Sequence, residues 1–196
     1  MAIPPGHNAT NGVSVPLPRN LGPLLRLTLT IYERGSAMAD THVLDRVWEL
    51  LDGMSICMLT THDGDELRSR PMRAMPRRQE NAVYFLADAR RHKEIEIRGN
   101  PNVNLAFADA KGQKYASVAG HAQVMNDRSR IAELWSTPAK AWWSDPKDPN
   151  IRVLKVVPRD AEYWDSPGTV MSYVKMFAAA ATGTRPAMGE NRKVSM

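Results

Sequence analysis

One cysteine, Cys57, is all that the 196 residues contain. That excludes a disulfide framework and any multi-cysteine metal site within the chain. Nowhere does an apolar run approach the roughly 18 residues a membrane-crossing helix needs. Neither standard glycine-rich phosphate loop is present, and no nucleophile elbow appears. The five histidines, at 7, 42, 62, 92 and 121, are scattered without metal-ligand spacing. The central body also lacks net charge. Arg19, Arg26 and Arg34 against Glu33 make the first 37 residues basic, and Lys175, Arg185, Arg192 and Lys193 against Glu190 do the same for 168–196. Those ends account for the whole net charge of +5, so the residues between are neutral. A nucleic-acid partner finds no support in such a distribution. A lone cysteine fits a reducing compartment, and we read the chain as cytoplasmic, with neither a membrane nor a nucleic-acid partner.

What is present is a normal globular composition, 43% hydrophobic and 24% charged. The first 37 residues stand apart, broken by Pro4, Pro5, Pro16, Pro18 and Pro23. Their start has no basic residue ahead of an apolar stretch, so no secretory signal is read there. We expect 1–37 to be a disordered or spurious extension, with the functional chain starting at Met38; a short membrane-surface anchor is the competing reading. Residues 38–183 are expected to form one domain and 184–196 a C-terminal tail.

Leu44, Val47, Trp48 and Leu51 recur at helical spacing and predict a helix over 40–53, closed by Gly53. The period then changes. Strands are predicted over 55–61, 67–75, 82–87, 103–108, 115–125, 151–157 and 161–164, the first two joined at Asp63-Gly64. Short helices are predicted over 90–98, after Asp127, and over 169–181. Short strands joined by hairpins, with helices at the edges, predict a small barrel.

The basic run Arg90, Arg91, His92, Lys93, with Asp88 as N-cap, falls at the start of the second helix. Cations are unfavourable there unless an anion sits among them. The competing reading is a solvated basic turn offset by Glu94 and Glu96. One strand earlier, Arg68 and Arg70 share a face, and the planar fork of arginine suits phosphate oxygens. Pro71 leaves its ladder position without a donor. Trp142-Trp143 in a proline-rich loop reads either as packing or as a wall for a flat aromatic ligand. Cys57 reads as an inert core thiol.

These segments, in order, resemble the general stress proteins of the pyridoxamine 5'-phosphate oxidase-like, FMN-binding split-barrel superfamily. The resemblance rests on Arg68-Ser69-Arg70-Pro71-Met72, on Val83 to Asp88, on Lys93-Glu94-Ile95 and on Asn100-Pro101-Asn102-Val103. Tyr115 to Gly120, Leu134-Trp135, Leu154-Lys155-Val156, Glu162 to Asp165 and Gly189 to Val194 follow. It implies a mainly β (α+β) fold, a six-stranded antiparallel Greek-key split β-barrel with flanking helices. It implies a homodimer with FMN at the subunit interface. The cofactor-binding residues it implies are Arg68, Ser69, Arg70, Pro71, Met72, Ala87, Asp88 and Lys93, with Lys93 and either Arg68 or Arg70 toward the phosphate. Ala87 stands where vitamin-oxidising members have a threonine, and Arg91-His92 where they resemble Ser-Arg, so oxidation of pyridoxamine phosphate is not implied. The expectation is a flavin-dependent oxidoreductase acting on a small redox substrate of unknown identity. Alternatives are a non-catalytic protein that stores or senses flavin, and a reductase using the deazaflavin F420. No side chain stands out as a general acid or base, so no catalytic residue and no metal ligand is assigned.

Overall fold

The computed structural model describes residues 41–91, 93–165 and 190–196. The expected N-terminal extension, the start at Met38, His92 and the expected helix over 169–181 lie outside the described residues.

Helix α1 covers 41–53. Its apolar stripe turns inward as the spacing requires: Val47, Trp48 and Leu51 are buried, and Leu44 packs against the same cluster. Strand β1 (Ile56–Asp63) turns back into β2 (Glu66–Arg73) through Gly64 and Asp65. Gly64 sits at φ 61, the positive angle a two-residue hairpin needs at its first central position. Strand β3 (Met75–Arg77) leads by a short 3-10 turn into β4 (Ala82–Asp88). Helix α2 (Lys93–Gly99), β5 (Asn102–Asp109) and β6 (Lys114–Met125) follow. Helix α3 (Arg128–Leu134) is capped by Asp127, whose carboxylate accepts from the Arg130 backbone N–H at 2.9 Å. Strands β7 (Ile151–Asp165) and β8 (Glu190–Ser195) complete the described chain.

All pairings are antiparallel, in the order β2-β1-β5-β6-β7-β4-β3, with β8 added to β7. Strands β4 and β5 are consecutive in the chain but lie apart in the sheet. The crossover between them carries α2, as a Greek-key arrangement requires. The fold is therefore the expected antiparallel split barrel with flanking helices, with two differences in detail. Eight strands are described rather than six, and the sheet is not closed. At Ala74, whose N–H donates to the Ser55 carbonyl at 2.9 Å, the chain changes partner from β1 to β4. One expected strand over 67–75 thus becomes β2 and β3, and among the described residues no ladder joins the sheet's two ends. Strand β8 is the other addition, and it covers the segment resembling the family's closing strand.

The two strands expected over 151–157 and 161–164 are one. Pro158, which separates them in sequence, pairs with Gly120 at a register shift between Ala119 and Gly120. A Cβ at Gly120 would lie 2.5 Å from the Val157 carbonyl oxygen, so only glycine allows the strands to approach there.

Strand β4 is buried along nearly its whole length because both its faces are covered. Val83 and Phe85 point into the main core with α1, whereas Ala82 and Tyr84 pack under Ile131 and Leu134 of α3. This accounts for its unbroken apolar sequence. Arg130 of α3 stands 4.8 Å over the Tyr84 ring, whose hydroxyl donates to Glu80 at 2.6 Å. The outer end of β4 and the start of α3 are thereby fixed beside one another.

Candidate functional site

Strand β2 is the last strand at one end of the sheet, and β4 is the last but one at the other. Between them opens a cleft of about 840 Å³. Arg68 to Arg73 of β2 form one side. Leu86, Ala87 and Asp88 at the end of β4, with Lys93 and Glu96 of α2, form another. Pro138, Trp142 and Trp143 form a third. The eight residues expected at a cofactor site, Arg68, Ser69, Arg70, Pro71, Met72, Ala87, Asp88 and Lys93, all line this one cleft.

Register decides what each β2 residue does. Arg68, Arg70 and Met72 lie opposite Thr61, Leu59 and Cys57, the inward residues of β1. Ser69 and Pro71 take the other face, where the Ser69 hydroxyl lies 2.7 Å from that of Thr60. Pro71 is tolerated because β2 is an edge strand.

The two arginines diverge. Arg68 reaches out to Asp63 at 2.7 Å. Arg70 reaches in: its Nη2 donates to Glu96 Oε2 at 2.6 Å and to Thr61 Oγ1 at 2.9 Å. The Thr61 hydroxyl in turn donates to the same Glu96 oxygen at 2.5 Å. Burial alone would raise the Glu96 pKa, but the bonds from Thr61 and Arg70 outweigh it, and the carboxyl is held below its ordinary value.

Lys93 opens α2 half-buried, and its ammonium donates to the Met72 sulfur at 3.8 Å. Among the described residues no carboxylate lies within ion-pairing distance of it. Burial first, then the charges of Arg70 and Arg91, push its pKa below the ordinary lysine value. Asp88 does not cap the helix as expected. Its carboxylate accepts from the Arg90 backbone N–H at 2.9 Å and from the Arg90 guanidinium at 2.9 and 2.6 Å. These bonds hold it down to about 2. The carboxylate closes a turn directly after β4, so α2 begins at Lys93, and Arg90 and Arg91 precede it. The first turn of α2 carries Glu94 and Glu96, which its dipole favours.

The aromatic wall comes from the 3-10 turn Thr137–Ala141, where the N–H groups of Trp142 and Trp143 donate to Ala139 at 3.0 and 3.1 Å. Trp142 is three-quarters exposed. Trp143 packs partly against the α3 core, and its buried indole N–H has no partner among the described residues. Sequence reasoning did not place Glu96, Met75 or Leu86 in the site. Glu96 bore only the general signal of a carboxylate beside a basic run.

A model of the family described as pyridoxamine 5'-phosphate oxidase like matches residues 42–187. The chain belongs to this family. General stress protein 26 of Bacillus subtilis is 27% identical over 126 residues, 63% of this chain and 89% of that protein. Among solved structures, a Jannaschia sp. CCS1 protein assigned as general stress protein 26 superposes with a TM-score of 0.68 at 23% identity. It covers 80% of this chain and 99% of its own. The general stress FMN/FAD binding protein of Xanthomonas citri superposes with a TM-score of 0.57 at 20% identity, over 64% of this chain and 89% of its own. These likenesses bear on the fold. The cleft between β2 and β4 brings Lys93, which has no carboxylate within ion-pairing distance among the described residues, together with Arg70 and Arg91. No helix among the described residues is long and apolar enough to cross a membrane.

Proposed function

We propose that the cleft binds FMN and that the protein is a flavin-dependent oxidoreductase of the general stress type. One observation carries this reading: Lys93 is a half-buried cation with no carboxylate within ion-pairing distance among the described residues, and burial with the charges of Arg70 and Arg91 outweighs the more distant Asp88 and Glu96. Isolated, such an arrangement is unfavourable; a phosphate among the three cations makes it favourable. The rest of the cleft suits the other end of the same molecule, because Met75, Leu86, Trp142 and Trp143 offer apolar and aromatic surface for a flat ring. The volume falls within the usual range for a cofactor site. A relative of the same fold being described as FMN/FAD binding agrees with this.

Bound flavin supplies the redox chemistry, and the chain binds and orients it. Lys93, Arg70 and Arg91 hold the phosphate. The edge of β2 around Pro71 offers backbone groups to the polar rim of the ring. A second copy of the chain covers the outer face of β1 and β6, where Ile56, Met58 and Tyr115 are exposed, and residence in the cytoplasm goes with this reading.

A non-catalytic flavin carrier is the second reading, and a specific feature favours it. No histidine, cysteine or tyrosine lines the cleft among the described residues. Asp88 is held ionised by its bonds to Arg90.

Protein purified from its native host should show the absorption bands of oxidised flavin, and the released cofactor should have the mass of FMN. The mass of F420, or no cofactor together with no saturable FMN binding, overturns the FMN reading. Turnover of NADH or NADPH with added acceptors separates the enzyme from the carrier.

A further inference from the structure

Glu96 is the most deeply buried charged group at the cleft, with 4% of its side chain exposed. It comes from α2, yet it bonds to two residues of the β1–β2 hairpin. Arg70 Nη2 donates to both Glu96 Oε2 and Thr61 Oγ1, and Thr61 Oγ1 donates to Glu96 Oε2. Each pair in this triangle of three side chains is bonded, which leaves the guanidinium no freedom to swing about that nitrogen. Arg70 keeps 22% of its side chain exposed and lines the cleft. Its Nε and Nη1 hydrogens are not used by the triangle.

We propose that Glu96 is a positioning residue for anion binding: it clamps Arg70 by one nitrogen so that the remaining N–H groups meet a phosphate held at Lys93. The proposal rests on the anion-binding reading of the cleft and goes beyond it, because it assigns a role to a carboxylate that opposes an anion. A free arginine side chain loses rotamer entropy when it binds; one already clamped has lost it on folding, so its bonds to a ligand are formed at less cost.

The proposal makes a prediction opposite in sign to simple charge. Glu96→Gln keeps the shape and removes a negative charge from a site for anions. Coulombic attraction alone then tightens FMN binding. Positioning loosens it, because a neutral amide holds the guanidinium more weakly.

The experiment titrates FMN and riboflavin into cofactor-stripped wild type, Glu96→Gln, Arg70→Ala and the double variant at fixed salt. Expected are a loss of about tenfold in FMN affinity for Glu96→Gln, which is about 1.4 kcal/mol, riboflavin affinity within twofold of wild type, and no further loss when Arg70 is already alanine. Unchanged or tighter FMN binding by Glu96→Gln overturns the proposal. So does an equal loss for both ligands, which marks a structural role, and so does an additive loss in the double variant. Should Glu96→Gln fail to fold, Thr61→Val set against Thr61→Ser asks the same question, because only the valine removes a tether of Arg70. Loss of FMN affinity confined to the valine variant supports the clamp, and equal affinities overturn it. Failure of the underlying reading shows separately, in wild type that prefers FMN to riboflavin by less than twofold.

Discussion

Lys93 Nζ has the thioether of Met72 as its hydrogen-bond acceptor, 3.8 Å away across the cleft, and no carboxylate acceptor among the described residues. A methionine sulfur is a weak acceptor. The ammonium is therefore left with most of its bonding capacity while losing part of its hydration.

Replacing this lysine tests the phosphate site directly. Lys93→Ala should weaken FMN by about 10- to 150-fold, the equivalent of roughly 1.5–3 kcal/mol for a charge-assisted bond. Riboflavin, which lacks the phosphate, should bind wild type and variant alike. Ligand-free protein should melt no lower, because the deleted charge is one that burial and two arginines disfavour. The pH dependence follows in sign. Only the protonated amine attracts phosphate, so wild-type FMN affinity should fall as pH rises through a lysine pKa lying below the ordinary value. Titration of Lys93→Ala should lack that alkaline limb.

Acid stability should report on Asp88. Its carboxyl is depressed from 3.8 to about 2, chiefly by the side chain of Arg90. A depressed acid contributes stability that is present above its unfolded pKa and disappears as pH falls through the folded one. Asp88→Asn should therefore cost stability at neutral pH and converge with wild type near pH 2. Arg90 is 65% exposed, so solvent screens the pair and the cost should not exceed about 1 kcal/mol. Denaturant midpoints at pH 7 and pH 2 give the comparison.

Association should depend on the outer face of β1. Ile56 and Met58 are 52% and 40% exposed there. Light scattering should give about twice the chain mass of 21.9 kDa. Met58→Lys should shift the mass toward the monomer without lowering helix or strand content. A wild-type monomer that holds FMN tightly would contradict the shared-interface arrangement.

Deleting residues 1–37 should leave solubility, melting temperature and FMN content as they are, since the patterned sequence begins at Met38. Loss of the folded state on deletion would assign the proline-broken segment a structural role.

Where a signal was local, it was legible. Asp63-Gly64 marked the β1–β2 turn, the stripe through Val47 and Leu51 marked α1, and alternation along β2 put Arg68 and Arg70 on one face. Each of these rests on neighbours within a few residues. Glu96 was opaque because its burial depends on a residue 26 positions earlier, brought near by strand register. The flanking Ile95 misleads, being 70% exposed. The start of α2 was misplaced because Asp88 offered a capping side chain, and a strand end uses the same chemistry to close a turn. The continuity of β7 was hidden by Pro158. The strand carries it by bulging at Arg159, which lies between the partners of Ala119 and Gly120 and has no partner of its own in the β6 register.

The change of partner at Ala74 leaves a seam in the sheet, with β2 on one bank and β4 on the other and no ladder between them among the described residues. A seam of this kind is where a chain opens locally at least cost. A ligand held by β2 on one bank and by the β4 end and α2 on the other acts as a rivet across it. Its binding free energy adds to the cohesion of the two banks, growing by about 1.4 kcal/mol for each tenfold of free ligand above Kd. Amide hydrogens along β2 would then exchange at a rate set by cofactor supply. On the proposed flavin reading, cells short of flavin would hold a looser and more readily degraded form of this protein than cells replete with it.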